Sequence, residues 1–237
     1  TGVANTSVTM NAASMENSGF EFSATYRNHD HAFKYDISAN LSTLKNKVTS
    51  LGFGTESYIT GAYATYVGQE VGQFYGWVYE GIARTQDQLD NHATQQGANV
   101  GDCLYKDVSG PNGVPDGVID TYDQTVLGSG LPKVNFGLSA RMEYKNFDLN
   151  IYFYGEAGRK RGASYYEGWT RMDNGINVST YALKAFNSNN LTATDPTFVR
   201  GGSGWGDYYV KSIYYVRCGS ITLGYKVPIS QKIAKNL

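Results

Sequence analysis

The feature that most constrains this chain is a two-residue rhythm of hydrophobicity. Over residues 133–144, Val134, Phe136, Leu138, Ala140, Met142 and Tyr144 alternate with Lys133, Asn135, Gly137, Ser139, Arg141 and Glu143. Successive side chains of a strand point to opposite faces, so this pattern predicts a strand with one apolar and one polar face. The next stretch repeats it: Phe147, Leu149, Ile151, Phe153 and Gly155 alternate with Asp148, Asn150, Tyr152, Tyr154 and Glu156. Only Lys145 and Asn146 lie between the two. A two-residue hairpin loop sets Tyr144 opposite Phe147 on the same face, so pattern and turn agree. An earlier pair behaves alike. Phe20, Phe22, Ala24 and Tyr26 alternate with Glu21, Ser23, Thr25 and Arg27, and Phe33, Tyr35, Ile37, Ala39 and Leu41 alternate with Lys34, Asp36, Ser38, Asn40 and Ser42. A turn centred on His29-Asp30 predicts Tyr26 opposite Phe33.

A soluble sandwich also alternates, but its strands are shorter, usually about five or six residues. Ten residues at about 3.3 Å each, tilted near 40°, rise about 25 Å, the height of the apolar band of an outer-membrane barrel. The paired strands are joined by short turns and the other connections are very long, as in barrels with short inner turns and long external loops. Aromatics flank the short turns at Tyr26, Phe33, Tyr144 and Phe147, where an interfacial girdle belongs. Closing strands are expected at 208–216 and 219–227. The apolar set changes parity after Cys218, from Tyr208, Val210, Tyr214 and Val216 to Ile221, Leu223 and Tyr225, so a bulge or turn is expected near Cys218-Gly219. Pro228 should end the last strand. The fold expected is all-β: an antiparallel segment of a transmembrane β-barrel with long extracellular loops.

Composition fits. The chain holds 20 tyrosines, whose apolar ring and polar tip suit a boundary between water and lipid, and 28 glycines for loops and bends. With 20 basic and 21 acidic residues it carries no excess positive charge to bind nucleic acid. No apolar run approaches the roughly 20 residues of a membrane helix. Thr1 opens into polar sequence, so either a leader has been removed or the chain starts within a longer protein. Cys103 and Cys218 are far apart in sequence, and nothing in the spacing brings them within bonding distance.

Several segments resemble the SusC/RagA family of TonB-dependent outer-membrane transporters, in order and spacing. Met15-Glu16-Asn17-Ser18-Gly19-Phe20-Glu21-Phe22 is similar to a family strand start. Gly72-Gln73-Phe74-Tyr75-Gly76-Trp77-Val78-Tyr79-Glu80-Gly81-Ile82 resembles its GxFYGYxxxGI stretch. Gly101-Asp102, Tyr105-Lys106-Asp107, Asp116-Gly117-Val118-Ile119-Asp120 and Asp123 resemble its acidic loop, and Gly128, Leu131-Pro132-Lys133 and Gly137 continue it. Tyr144-Lys145-Asn146-Phe147-Asp148-Leu149 matches its hairpin, and Ser220-Ile221-Thr222-Leu223-Gly224-Tyr225-Lys226-Val227-Pro228 matches NxTLGYxxP. The resemblance covers nearly the whole chain. It implies that residues 1–237 form the C-terminal part of a barrel of about 22 strands, with the plug, the TonB box and the final strands elsewhere. It implies location in the outer membrane of a Gram-negative bacterium and import of oligosaccharides, or of peptides in RagA-like members. A SusD-like surface lipoprotein would cap the barrel, and the TonB complex would act through the N-terminal part.

Three sets of residues are candidates for a site. Trp77, Tyr79, Tyr165, Tyr166, Trp169 and Trp205 lie in long connections, where aromatic rings could meet a sugar or the lid, or pack on one another. Asp107, Ser109, Asp116, Asp120 and Asp123 fall in a Gly/Pro-rich segment resembling the second half of a calcium loop. They could supply oxygens to a structural Ca2+, although residues 111–115 interrupt the spacing and no Glu stands at the twelfth position. The same side chains could instead cap backbone amides. Arg141, Glu143, Asp148 and Glu156, on the polar faces, are expected to line the lumen. His29, His31 and His92 have no nucleophile partner, there is no phosphate-binding loop, and carboxylate spacing alone makes no glycosidase, so no catalytic residue is expected. The competing reading is a secreted soluble β-sandwich that binds glycans with a calcium loop. It would bury the apolar faces against one another, whereas a barrel would expose them.

Overall fold

A computed structural model describes residues 13–162, 177, 179–197 and 205–228. Its strands, in chain order, begin with β1 (Ser14–Ser18), β2 (Glu21–Asn28), β3 (Phe33–Thr43), β4 (Lys45–Ser50) and β5 (Ser57–Thr60). Then come β6 (Tyr63–Tyr66), β7 (Gln73–Gly76), β8 (Tyr79–Ile82), β9 (Thr94–Gln95) and β10 (Cys103–Tyr105). The last are β11 (Val118–Ile119), β12 (Thr125–Gly128), β13 (Val134–Tyr144), β14 (Phe147–Gly162) and β15 (Val210–Tyr225). A short α-helix, α1 (Gln86–Asp90), starts at Thr85, whose hydroxyl accepts the amide of Gln88 at 3.2 Å. The chain divides into two compact units. One is a sheet unit within Asn17–Lys45, Leu131–Arg159 and Ile213–Leu237, and the other is a loop unit chiefly within Asn46–Gly130 and Lys160–Ser212.

The sheet unit is one antiparallel sheet in the order β15-β14-β13-β3-β2. Its register follows the hydrophobic rhythm. Tyr144 pairs with Phe147 and the pairing runs without a slip to Val134 and Ala157, as the two-residue turn predicts. β3 pairs with β13 from Phe33 opposite Tyr144 to Thr43 opposite Val134. Reading across the strands gives apolar rows: Phe22, Leu41, Phe136 and Gly155; Ala24, Ala39, Leu138 and Phe153; Tyr26, Ile37, Ala140 and Ile151. One expectation is corrected. Tyr26 stands opposite Ile37, not Phe33, because β2 stops pairing at Asn28 opposite Tyr35 and a longer turn follows. That turn is set by Asn28, whose Oδ1 accepts the Asp30 amide at 3.3 Å. The displacement is four residues, an even number, so every side chain keeps its face.

Two details shape the sheet. At Gly155 a Cβ would run into the Tyr215 carbonyl and the Phe136 ring, so only glycine lets β14 and β15 approach there. Further along β14, Gly158 has φ +80°, the left-handed backbone of a bulge. The expected division into strands 208–216 and 219–227 is also corrected: β15 is continuous from Val210 to Tyr225. The expected parity change is nonetheless present. Arg217 donates to the Tyr154 hydroxyl at 3.3 Å on the polar face, and Ser220, three residues on, lines the same face. Tyr225 packs on Phe147 at 4.6 Å on the apolar face. Residues 226–228 lie outside the strand, as Pro228 requires.

The loop unit has its own small sheets: β12-β7-β6-β5, the antiparallel pair β8 with β10, and the parallel pair β9 with β11. Some of its apolar side chains pack into buried clusters. Phe74, Leu127 and Val210 form one cluster with Val78 and Trp205; Cys103, Tyr105 and Ile119 form another with Trp77, Tyr79, Ala93 and Tyr208. Ile82, Phe186 and Ala193 form a third.

Candidate functional site

The sheet has two chemically distinct faces. On the apolar one Phe22 is 63% exposed and Leu223 70%, and Ile37, Leu41, Leu138, Tyr144, Phe147 and Ile221 are exposed as well. Burying a side chain of this size away from water is worth about 1.5–3 kcal/mol, so a continuous face of them marks a surface that meets an apolar medium. One end of this face is aromatic: Phe33, Tyr144 and Phe147 stand in line across three strands, with Tyr225 against Phe147. Three of the four aromatics expected in a girdle meet at this end, while Tyr26 stands further along the same face, opposite Ile37.

The polar face places Arg141, Glu143, Asp148 and Glu156 on one side, as alternation requires. Its rows are Thr25, Ser38, Ser139 and Tyr152, then Arg27, Asp36, Arg141 and Asn150. Charges are paired along it. Asp36 Oδ1 lies 3.8 Å from Arg27 Nε and 2.9 Å from His29 Nε2, and Arg141 Nη2 lies 2.6 Å from Glu143 Oε1. Glu156 meets Arg159 at 2.7 Å. Tyr152 and Tyr154 stack at 5.7 Å. A recess of about 420 Å³ opens on this face, lined by Thr25, Ser38, Ser139, Arg141, Asn150 and Tyr152 among others. Mixed charge, hydroxyls and stacked phenols suit a hydrated wall that exchanges hydrogen bonds with polar solutes.

The aromatic candidates divide. Tyr165, Tyr166 and Trp169 lie outside the described residues. Trp77, Tyr79 and Trp205 are half-buried and packed within the loop unit. The Trp77 ring lies 5.8 Å from Tyr105 and its Nε1 donates to the Asp120 carbonyl at 2.7 Å. The Trp77 amide donates to the Trp205 carbonyl at 3.1 Å, and Trp205 stacks on Tyr209 at 5.8 Å. Tyr79 lies 5.2 Å from Tyr208, and its amide donates to Asp207 Oδ1 at 2.6 Å. Burial pushes the Tyr105, Tyr79 and Tyr208 hydroxyls up; at Tyr208 the neighbouring Asp195, which accepts its hydrogen bond at 2.6 Å, adds to this. These phenols stay protonated, and Tyr208 serves as a donor.

The acidic loop does gather Asp107, Asp116, Asp120 and Asp123, but their oxygens accept backbone amides. Asp123 is fully buried; its Oδ1 accepts Val108 and Ser109 at 2.8 and 3.1 Å, and its Oδ2 accepts Asp120 at 2.9 Å. Asp107 accepts Asp116 and Gly117 at 3.3 and 2.6 Å, Asp116 accepts Val118 at 3.0 Å, and Asp120 accepts Tyr122 at 2.7 Å. The Ser109 hydroxyl points to its neighbour's carbonyl, Gly110, at 3.4 Å. Among the described residues no three His, Cys, Asp or Glu side chains are grouped to hold a metal ion. This arrangement fits amide capping. Neither Cys103, which is buried, nor Cys218, which is exposed, is in a disulfide.

Sequence reasoning missed Arg84 and Asp207. Arg84 reaches the carbonyls of Leu191 and Ala193, each at 2.6 Å, and so fastens a segment more than 100 residues away. Asp207 caps an amide 128 residues away. Neither has a local sequence signal.

A long-stranded sheet with one apolar and one polar face defines a class: a wall segment of a transmembrane β-barrel. The comparisons agree and narrow it. No family model matches the chain. It is 27% identical over 234 residues to TonB-dependent receptor P3 of Formosa agariphila, covering 93% of this chain and 22% of that receptor. It is likewise 27% identical over 237 residues to TonB-dependent receptor SusC of Bacteroides thetaiotaomicron, covering 93% of this chain and 21% of SusC. A solved structure of the RagAB peptide transporter superposes with a TM-score of 0.70 at 19% identity, over 92% of this chain and 23% of that one. The RagAB peptide importer in its closed-closed state gives 0.71 at 18% identity, over 92% of this chain and 24% of that one. The chain therefore spans about a fifth of the curated relatives it matches. It is a SusC/RagA-like segment, and its fold is that of part of a TonB-dependent transporter barrel.

Proposed function

We propose that this chain is wall and external loops of an outer-membrane importer that takes up oligosaccharides or other nutrients. The observation that carries the reading is the sheet's exposed apolar face lying back to back with a charge-paired polar face. The first suits lipid and the second a wet lumen. In this reading a SusD-like lipoprotein delivers substrate at the loops, and TonB supplies energy through a plug outside this segment. The family resemblance in the sequence implies an oligosaccharide, and the likeness of fold to the RagAB peptide transporter makes a peptide the second candidate.

The test uses the full-length protein in its own host. Membrane fractionation should place it in the outer membrane and make its extraction dependent on detergent. Deleting its gene should abolish growth on a particular glycan as sole carbon source, and loss of TonB should reproduce the defect. Release into the soluble fraction without detergent would overturn the reading, and a growth defect confined to peptide media would move the substrate to the second candidate.

A further inference from the structure

His92 lies in the loop unit between α1 and β9, with its side chain only 14% exposed. Both ring nitrogens face acceptors. Nδ1 is 2.9 Å from the Ala93 carbonyl oxygen, and Nε2 is 3.1 Å from Glu80 Oε2 on β8. A carbonyl can only accept, and so can an ionised carboxylate. Neutral imidazole has a single N–H and can satisfy one of the two. Both contacts are hydrogen bonds only when the pair holds one proton more than neutral histidine beside glutamate; with Glu80 half exposed to water, that proton belongs on the ring.

We infer that His92 and Glu80 form a proton-dependent latch that fastens residues 91–95 to strand β8. With the ring protonated, the imidazolium bonds to both acceptors. With the ring neutral, it keeps one donor and leaves the other acceptor bare. The latch sits where several connections converge. The His92 amide donates to the Leu89 carbonyl at the end of α1 at 3.3 Å, and the Thr94 amide donates to the Gly117 carbonyl at 2.7 Å. The Gln95 side chain bridges the Cys103 carbonyl and the Tyr105 amide at 2.8 and 3.1 Å. The excursion is closed at its base by the Ala83 amide to the Asp102 carbonyl at 2.9 Å. Other charged groups nearby are engaged elsewhere: Asp87 with Asn91 and Asp90 with Gln86 on α1, Arg84 with Leu191 and Ala193, Asp107 with the Gly117 amide and Asp116 with the Val118 amide. Glu80 is the charged partner aimed at the ring.

Hydrogen exchange on the full-length protein in detergent micelles tests this, at about pH 5.5 and about pH 8. After correction for intrinsic exchange, amides of residues 91–95 should be protected on the order of tenfold more at the lower pH, the worth of one charge-assisted hydrogen bond. Glu80→Gln gives the sharper result. An amide can accept from imidazolium or donate to the neutral ring, so protection should become equal at the two pH values. His92→Gln should also abolish the difference. Equal protection at both pH values in the parent protein, or a pH difference that survives in Glu80→Gln, would overturn the latch.

Discussion

Phe22 and Leu223 in the sheet unit are 63% and 70% exposed, while Phe74 and Tyr105 in the loop unit are 6% and 2% exposed. Similar residues are used in opposite senses. The sheet turns its apolar rows outward and pairs its charges across the other face. The loop unit packs its aromatics on one another and satisfies its amides with Asp107, Asp123 and Asp207. Each arrangement is stable only in its own medium. The loop unit carries its core inside, as any water-bathed structure must, whereas the sheet needs an apolar solvent to complete it.

This contrast can be broken most severely in the loop unit. Tyr105→Ala removes a buried ring between Trp77 and Gly206, and should cost about 3–5 kcal/mol of local stability, read as faster hydrogen exchange through β8 and β10. A smaller effect is expected from Leu138→Arg, which puts a cation in the middle of the apolar face. In a bilayer this should cost about 2–4 kcal/mol of folding free energy, measured by refolding into lipid vesicles. Its neighbour Ser139→Arg lies on the polar face and should change stability by less than about 1 kcal/mol. Equal tolerance of the two would show that both faces meet water. Next is Asp123→Asn, which exchanges the acceptor of the Asp120 amide for a donor and should loosen the acidic loop by about 1–3 kcal/mol, visible as lost protection of residues 108–123. The last effect has the opposite sign. Lys145 holds φ +54° in the β13–β14 turn, so Lys145→Gly should stabilise the hairpin by about 1 kcal/mol, read as a higher urea midpoint.

The sheet was far more legible from sequence than the loops, for a physical reason. Period-two alternation constrains a strand along its whole length, and Lys145-Asn146 leaves only one way to join β13 to β14. The register of Val134 through Ala157 follows from those two facts. The β2–β3 turn was less determined, because any even displacement keeps the faces matched; the Asn28 side chain, not the pattern, decides it. That β3 lies beside β13, across some 90 intervening residues, has no local signal. Nor has the inward turn of Trp77, Tyr79 and Trp205, since loop residues carry no periodicity to say which way they face. The acidic cluster was visible, but a carboxylate that could ligate a cation could equally accept an amide. The amide partners of Asp123, up to 15 residues away, have no local signal.

Among the described residues the sheet ends in two flanks, β2 on one side and β15 on the other. Along each flank every second amide and carbonyl points away from the sheet with no strand to receive it. Water would occupy those positions cheaply, but the hydrocarbon interior offers neither donor nor acceptor, and each bare group there costs several kcal/mol. These five strands can therefore enter the bilayer only in step with neighbours that zip onto both sides, so that insertion and lateral closure are one cooperative event rather than two.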